Sequence, residues 1–375
     1  MIPVEVNRNR LIHWLRELIR VPSVTGDEEA IAGYVSQELS KMGYQPQVKE
    51  NNVFFEVGDG SKSLLLNAHL DTVDVGSQWQ HDPFGALMEE GKIFGRGASD
   101  DKGNIAAMLE VARLAGNAQI NGRLIFTFTT GEEFGAELEA KGSYLLSQWL
   151  KAEKALVLEP QTEVDEKRVN VIYGCRGIEN ILVRIKGKAS HTGYPERGVN
   201  AISKAVQLLT RMEDLDFHKV VVSGEEIETI CMPIRISGGA DIFRVPDKCE
   251  TMIHCRTAPE DAKIVKQVEL VCQEVCGENF EMENTYSAPG YIEDPKDKLV
   301  DIIRQQAQRL NYTTVNRFAG GRIDASIFKT VGNIPSFCTG VGNRDQMHLV
   351  DEYISVADFI ACSEMIKNVV FAYLS

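Results

Sequence analysis

A chain of 375 residues with 43% hydrophobic and 25% charged content, and no low-complexity run, is long enough to bury a large core and to divide into two domains. A formal net charge of −14 opposes binding to nucleic acid or anionic lipid, which need a basic surface to displace counterions, and no basic patch is present. The stretch up to Val21 is interrupted by Arg8, Arg10, Arg16, Glu17 and Arg20, and nothing later approaches the roughly 18 consecutive apolar residues of a membrane span, so a cytoplasmic protein is expected.

The opening residues 8–20 place Leu11, Trp14, Leu15, Leu18 and Ile19 at helical spacing and stop before Pro22. A second helix is expected over 30–42, ending at Gly43, with Thr25 or Asp27 as candidate caps. Strand-like runs follow at 53–57, 63–68, 124–130 and 155–158, separated by helical stretches at 104–115 and 142–150. Alternation of this kind predicts an α/β fold: a mostly parallel sheet with helices on both faces. Beyond Gly174 the order changes to strand 180–185, helix 200–212, strands 227–236 and 249–255, and helix 259–276, a one-sided α+β pattern inserted into the first domain. A helix at 297–310, a strand near 336–341 and a helix at 355–374 complete the chain. The expected division is 1–174 with 288–375 for one domain and 175–287 for the inserted one.

Eight scattered cysteines (Cys175, Cys231, Cys249, Cys255, Cys272, Cys276, Cys338, Cys362) suit a reducing cytosol, most of them as small core residues. Cys272 and Cys276 lie one helical turn apart, but no second Cys or His pair stands near them to complete a structural metal site.

Chemistry concentrates where the strands end. Leu64-Leu65-Leu66-Asn67-Ala68-His69-Leu70-Asp71 runs apolar residues into a histidine and an aspartate two positions apart. Side chains alternate along a strand, so the two share a side: the Asp71 carboxylate can orient the His69 imidazole while its other nitrogen binds a metal. Asp100 lies in Gly95-Arg96-Gly97-Ala98-Ser99-Asp100-Asp101-Lys102-Gly103, a glycine-rich turn between the short strand 92–94 and a helix. A phosphate loop would need Gly-Lys followed by Ser or Thr, and here the paired carboxylates would repel phosphate. Gly131-Glu132-Glu133 and Leu158-Glu159-Pro160 repeat the strand-then-acid design, and His348 supplies a second histidine. Two histidines with three carboxylates make two N,O-donor sites that suit zinc and accommodate cobalt or manganese. Such a pair lowers the pKa of water and polarises a carbonyl, as amide hydrolysis requires.

These motifs resemble those of the M20 zinc metallopeptidases, which include acetylornithine deacetylase, succinyl-diaminopimelate desuccinylase, aminoacylase-1 and glutamate carboxypeptidase. The resemblance rests on His69-Leu70-Asp71, Gly95-Arg96-Gly97 with Asp100 and Lys102-Gly103, Gly131-Glu132-Glu133, Leu158-Glu159-Pro160 and Met347-His348. It implies that His69, Asp100 and Glu159 hold one of two divalent ions and that Asp100, Glu133 and His348 hold the other. Asp100 would bridge, Asp71 would orient His69, and Glu132 would be the general base. It also implies that the inserted domain is a ferredoxin-like lid that forms homodimers and supplies His191, from Ala189-Ser190-His191-Thr192-Gly193-Tyr194-Pro195, to the developing oxyanion. Arg256 falls where relatives grip a substrate carboxylate, a group that a guanidinium fork fits bidentately.

The chain departs from the family pattern at two places. Phe243-Arg244 stands where many relatives carry a substrate-contacting asparagine, and Arg322-Ile323-Asp324-Ala325 stands where they carry glycine-threonine-aspartate-alanine. Arg244 and Arg322 would favour an acidic substrate group. The expected activity is deacylation of an N-acyl amino acid. A carboxypeptidase or dipeptidase would use the same metals and clamp, and a binding protein on a retired hydrolase fold is the alternative from another class. His13, His218 and His254 read as structural, and the Trp79–Phe84 loop with His81 reads as packing.

Overall fold

The computed structural model describes residues 5–118, 120–133, 138–222, 224–239 and 242–375. Two compact units are present: one comprises the chain to Gly174 with Glu293–Phe318 and Ile323–Ser375, the other Cys175–Ile292 with Ala319–Arg322.

The first unit is built on a sheet whose central strands run parallel. Ser63–His69 pairs in parallel with Arg123–Thr129 on one side and Lys154–Val157 on the other, and Ser336–Cys338 adds in parallel to Lys154–Val157. Antiparallel strands flank this centre: Asn52–Val57 and Gln47–Lys49 at one side, Arg168–Cys175 at the other. Ser63–His69 is buried along its whole length, which explains its near-continuous apolar run. The helix Lys102–Ala115 is buried at nearly every position, and Leu11, Leu15, Leu18 and Ile19 of Arg8–Ile19 turn one apolar face inward. Because the central strands are parallel, their C-terminal ends open at the same edge, where an α/β sheet places its ligands.

The second unit is a four-stranded antiparallel sheet in the order Ile230–Gly238, Lys248–Thr257, Gly177–Lys186, Phe280–Ala288. With the helices Ala201–Glu213 and Ile264–Cys276 the chain order is strand, helix, strand, strand, helix, strand, the ferredoxin-like arrangement. Ile181, Val183, Ile185, Ala205, Leu208, Ile253, Val268 and Cys272 form the core between sheet and helices, and among the described residues of the unit no helix covers the opposite sheet face.

Several local expectations change. Neither Thr25 nor Asp27 caps Glu29–Lys41; the N-cap is Glu28, and the Thr25 hydroxyl donates to Asp71 instead. Arg168–Cys175, Phe280–Ala288, Thr313–Ala319 and the helix Asp324–Thr330 were not among the expected elements. Cys231 and Cys255 face each other in register across adjacent strands, 4.1 Å apart at Cα, and form a disulfide, so these two are not simple core thiols. The other six cysteines are free and buried. His81 stacks on Phe94 and pairs with Asp351 at 2.9 Å, in keeping with a packing role for its loop. Among the described residues no helix is long and apolar enough to cross a membrane.

Candidate active site

Three parallel strands deliver the site. Ser63–His69 ends in His69 with Asp71 just beyond, Arg123–Thr129 leads into Glu132 and Glu133, and Lys154–Val157 leads into Glu159. The turn ahead of Lys102–Ala115 contributes Asp100, and the segment after Ser336–Cys338 contributes His348. All seven lie in the first unit, whereas His191 and Arg256 lie in the second.

Asp100 is the centre of the cluster. One of its oxygens, Oδ1, lies 3.1 Å from His69 Nε2, and the other, Oδ2, lies 3.4 Å from His348 Nε2. His348 Nε2 is also 3.0 Å and 2.9 Å from the two Glu133 oxygens. Asp100, Glu133 and His348 therefore converge on one point, and His69 with Asp100 and Asp101 on a second. Glu159 is buried beside His69, Asp100, Asp101 and Glu132, close enough for charge coupling, and its Oε1 has no hydrogen-bond partner.

That crowding moves the ionisation equilibria. Burial would lower the His69 pKa, but hydrogen bonds to Asp100 and Asp71 raise it well above its usual value. Hydrogen bonds to Asp100 and Glu133 raise His348 to about 10. Burial pushes Glu159 well up despite His69, and raises Glu133 against its hydrogen bond to His348. Burial likewise brings Glu132 up to about 7, with Lys141 opposing and Asp324 assisting. Four buried carboxylates and two histidines around an orphaned carboxylate oxygen form a donor set that fits divalent cations.

Asp71 is held differently from the expectation. The backbone carbonyl of Asp71 is the nearer partner of His69 Nδ1, at 3.0 Å, and its carboxylate lies at 3.5 Å. Its carboxylate oxygens also accept from the N–H groups of Glu132 and Glu133, at 3.1 and 3.0 Å, and from the Thr25 hydroxyl at 2.8 Å. Burial opposes ionisation, yet the hydrogen bond and charge of His69 hold the Asp71 pKa down to about 2. Asp71 thus orders the turn that carries both glutamates as well as the imidazole.

Other residues that the motifs did not single out support the site. Glu352 accepts from the N–H groups of Gly97, Ser99 and Asp100 at 2.9, 2.8 and 3.0 Å, and from Arg96 Nη1 at 2.8 Å. Because it follows His348 by four residues, it ties the Asp100 turn to the His348 segment. Gly97 has φ +82, and a Cβ there would come within 2.9 Å of the Lys102 and Thr72 side chains, so the turn requires glycine. Asp101 Oδ2 accepts from His69 N–H at 3.2 Å and Oδ1 from Asn104 at 2.5 Å. Lys141 Nζ donates to the carbonyls of Gly131, at 2.7 Å, and Glu132. Asp324 accepts from Ser143 at 2.5 Å and Thr129 at 2.9 Å. Asp101 and Asp324 stand in segments that already drew notice, Lys141 follows Glu132 by nine residues and Glu352 follows His348 by four, but none of these positions names its partner in the fold.

In the second unit His191 is exposed, and its Nδ1 accepts from Gly193 N–H at 3.0 Å, leaving Nε2 as the protonated, outward donor. His191 forms a bridge with Arg244.

Comparison with known proteins agrees with this geometry. The profile of peptidase family M20/M25/M40 matches residues 65–372. A succinyl-diaminopimelate desuccinylase from a Nitratiruptor species is 29% identical over 378 residues, covering 96% of this chain and 99% of that protein. Among solved structures, aminopeptidase PepT from Bacillus cereus superposes with a TM-score of 0.79 at 21% identity, covering 99% of this chain and 100% of its own. A dinuclear metal-binding M20 peptidase from Bacillus subtilis superposes at 0.74 with 16% identity, covering 98% of each chain. The chain belongs to the M20/M25/M40 peptidase family and is a hydrolase acting on amide bonds.

Proposed function

We propose that this family member is a cytoplasmic, two-metal deacylase that hydrolyses the amide bond of N-acyl amino acids. The observation that carries the reading is the Asp100 carboxylate, each of whose oxygens faces a different histidine, the disposition of a bridging ligand. His69, Asp100 and Glu159 would hold one ion, and Asp100, Glu133 and His348 the other, with zinc favoured by the N,O donors and cobalt or manganese accommodated. When bound, the ions acidify water and polarise the amide carbonyl.

The chain's own residues do the rest. Glu132, beside the ligand Glu133, has a pKa that burial draws toward neutrality, which suits a base that takes a proton from the attacking water and delivers it to the leaving nitrogen. Asp71 holds Glu132 in register through its backbone N–H. His191 presents its Nε2–H as a donor for the developing oxyanion. Arg256 grips the substrate carboxylate. The inserted unit acts as lid and dimerisation domain: its edge strand Ile230–Gly238 leaves Ile230, Met232, Ile234 and Ile236 exposed beside an unpaired backbone edge, which a second copy of the chain would cover.

A carboxypeptidase or dipeptidase would use the same ions and the same carboxylate clamp. The deciding experiment is amine release by zinc- or cobalt-loaded protein from N-acetyl and N-succinyl amino acids alongside dipeptides, with a chelator control. Chelator-sensitive turnover confined to the acyl amino acids is expected; turnover confined to dipeptides would make the protein a peptidase.

A further inference from the structure

The sheet face of the second unit that its helices leave open contains an unusual charge arrangement. Along Lys248–Thr257, Thr251, Ile253 and Cys255 turn into the core, so Met252, His254 and Arg256 point the other way. Asn180 lies in register between His254 on one side and Tyr286 on the other, which places these residues on the same face as Arg256. Arg256 Nη1 lies 3.9 Å from where a Cβ would stand on Gly321. The next residue, Arg322, sets its guanidinium over the Tyr286 ring, 5.8 Å from the centroid, and its Nη1 is buried with no hydrogen-bond partner.

Three other cations of the sheet are neutralised: Arg184 pairs with Glu250 and Glu283, Lys186 with Glu281, and Arg235 with Glu250. Among the described residues, neither Arg256 nor Arg322 forms an ion pair. In a chain with 54 acids against 40 lysines and arginines, two arginines on one patch without an acid are conspicuous. A buried unsatisfied donor is destabilising, and an anion joining the patch would satisfy it. Burial, and then the Arg256 charge, push the His254 imidazole pKa down, so His254 adds no further positive charge to the patch near neutral pH.

We propose that Arg322 completes, with Arg256, a dicarboxylate-binding site, and that the amide substrate therefore carries two carboxylates, one for each guanidinium. Arg322 is the specificity-determining member, since Arg256 alone suffices for one carboxylate. The identification of the ligand as an amide substrate rests on the deacylase reading above, whereas the anion site itself does not.

The test uses isosteric pairs in which one carboxylate becomes an amide: N-acetyl-glutamate against N-acetyl-glutamine, and N-succinyl-alanine against its succinamoyl counterpart. For the metal-loaded protein, the acidic member of one pair should be favoured in kcat/KM by about 10- to 100-fold, the range of a lost charge-assisted hydrogen-bond pair. Whichever pair responds shows whether the second carboxylate is on the side chain or on the acyl group. Arg322→Ala should erase that preference by lowering kcat/KM for the acidic member far more than for the neutral one, a change of ratio that general loosening of the fold would not give. No preference in either pair, or a preference that survives Arg322→Ala, overturns the proposal. If neither substrate class is hydrolysed, calorimetric titration with succinate and glutarate against butyrate still decides: tighter dicarboxylate binding lost in Arg322→Ala upholds the site while the deacylase reading falls, and unchanged binding removes the site. Arg322→Gln, which retains the side-chain stem, serves the same comparison should the alanine variant fail to fold.

Discussion

The carboxylates of the first unit and the arginines of the second are buried or half-buried charges treated in opposite ways. Asp71 and Glu352 have both oxygens engaged by N–H or hydroxyl donors, so the ligand-bearing turns they hold have little freedom. Arg322 has a buried nitrogen engaged by nothing, and neither Arg322 nor Arg256 has a carboxylate partner among the described residues. Reacting groups must be held within fractions of an ångström, which requires that every support be satisfied before substrate arrives. A specificity site gains from the reverse: donors left unsatisfied in the free protein discriminate sharply against a substrate lacking the matching group.

The sharpest break in this comparison is Glu132→Gln. The substitution keeps the shape and the backbone N–H bonded to Asp71, and removes only the ability to move a proton. Turnover should fall by at least about 10²–10⁴-fold, with metal content unchanged by elemental analysis and KM nearly preserved. A metal-replete mutant that still turns over would take the general base away from Glu132.

Glu352→Gln tests the supports instead of the reacting groups. Glutamine retains one acceptor oxygen, but its amide group presents donors where the carboxylate received N–H groups, so the Asp100 turn loses part of its anchorage. Metal affinity should weaken by about 10- to 100-fold, as for other groups that orient metal ligands, and the absorption spectrum of the cobalt-loaded protein should shift. Full affinity with an unaltered spectrum would reduce Glu352 to a packing residue.

How much of this was legible in the sequence follows from the same contrast. The metal ligands stand at the ends of apolar strands, and a run such as Leu64-Leu65-Leu66 ending in His69 and Asp71 announces both the strand and the place where it opens. Glu352, Asp324 and Lys141 act across folds of the chain, with Glu352 more than 250 residues from the turn it binds, so no local pattern could reveal their partners. The second set of contacts of the Asp71 carboxylate, to the Glu132 and Glu133 N–H groups, escaped for a related reason: alternation predicts which side chains share a face, but not which backbone N–H groups a later turn will bring against them. Phe280–Ala288 was missed because it is an edge strand with a register shift near Asn180, and only its ends are half-buried or better in a clear apolar pattern. The disulfide depended on a register, Cys231 opposite Cys255, that spacing alone does not reveal.

Arg184 provides a neutralised counterpart to Arg322 within the second unit. Arg184 occupies the same sheet as Arg256, but its guanidinium lies 2.9 Å from Glu283 and 3.2 Å from Glu250, with all three side chains well exposed to solvent. Water and salt screen such pairs, so Arg184→Ala should leave the melting temperature within measurement error. It should also leave the preference for acidic over amidated substrates unchanged, because the removed charge was already neutralised by its neighbours. Arg322→Ala removes the same formal charge from the same unit yet should erase that preference. The paired measurement separates a local anion site from a general electrostatic field: equal losses in both variants would mean that the sheet attracts anions through its summed charge, and that Arg322 has no special place in recognition.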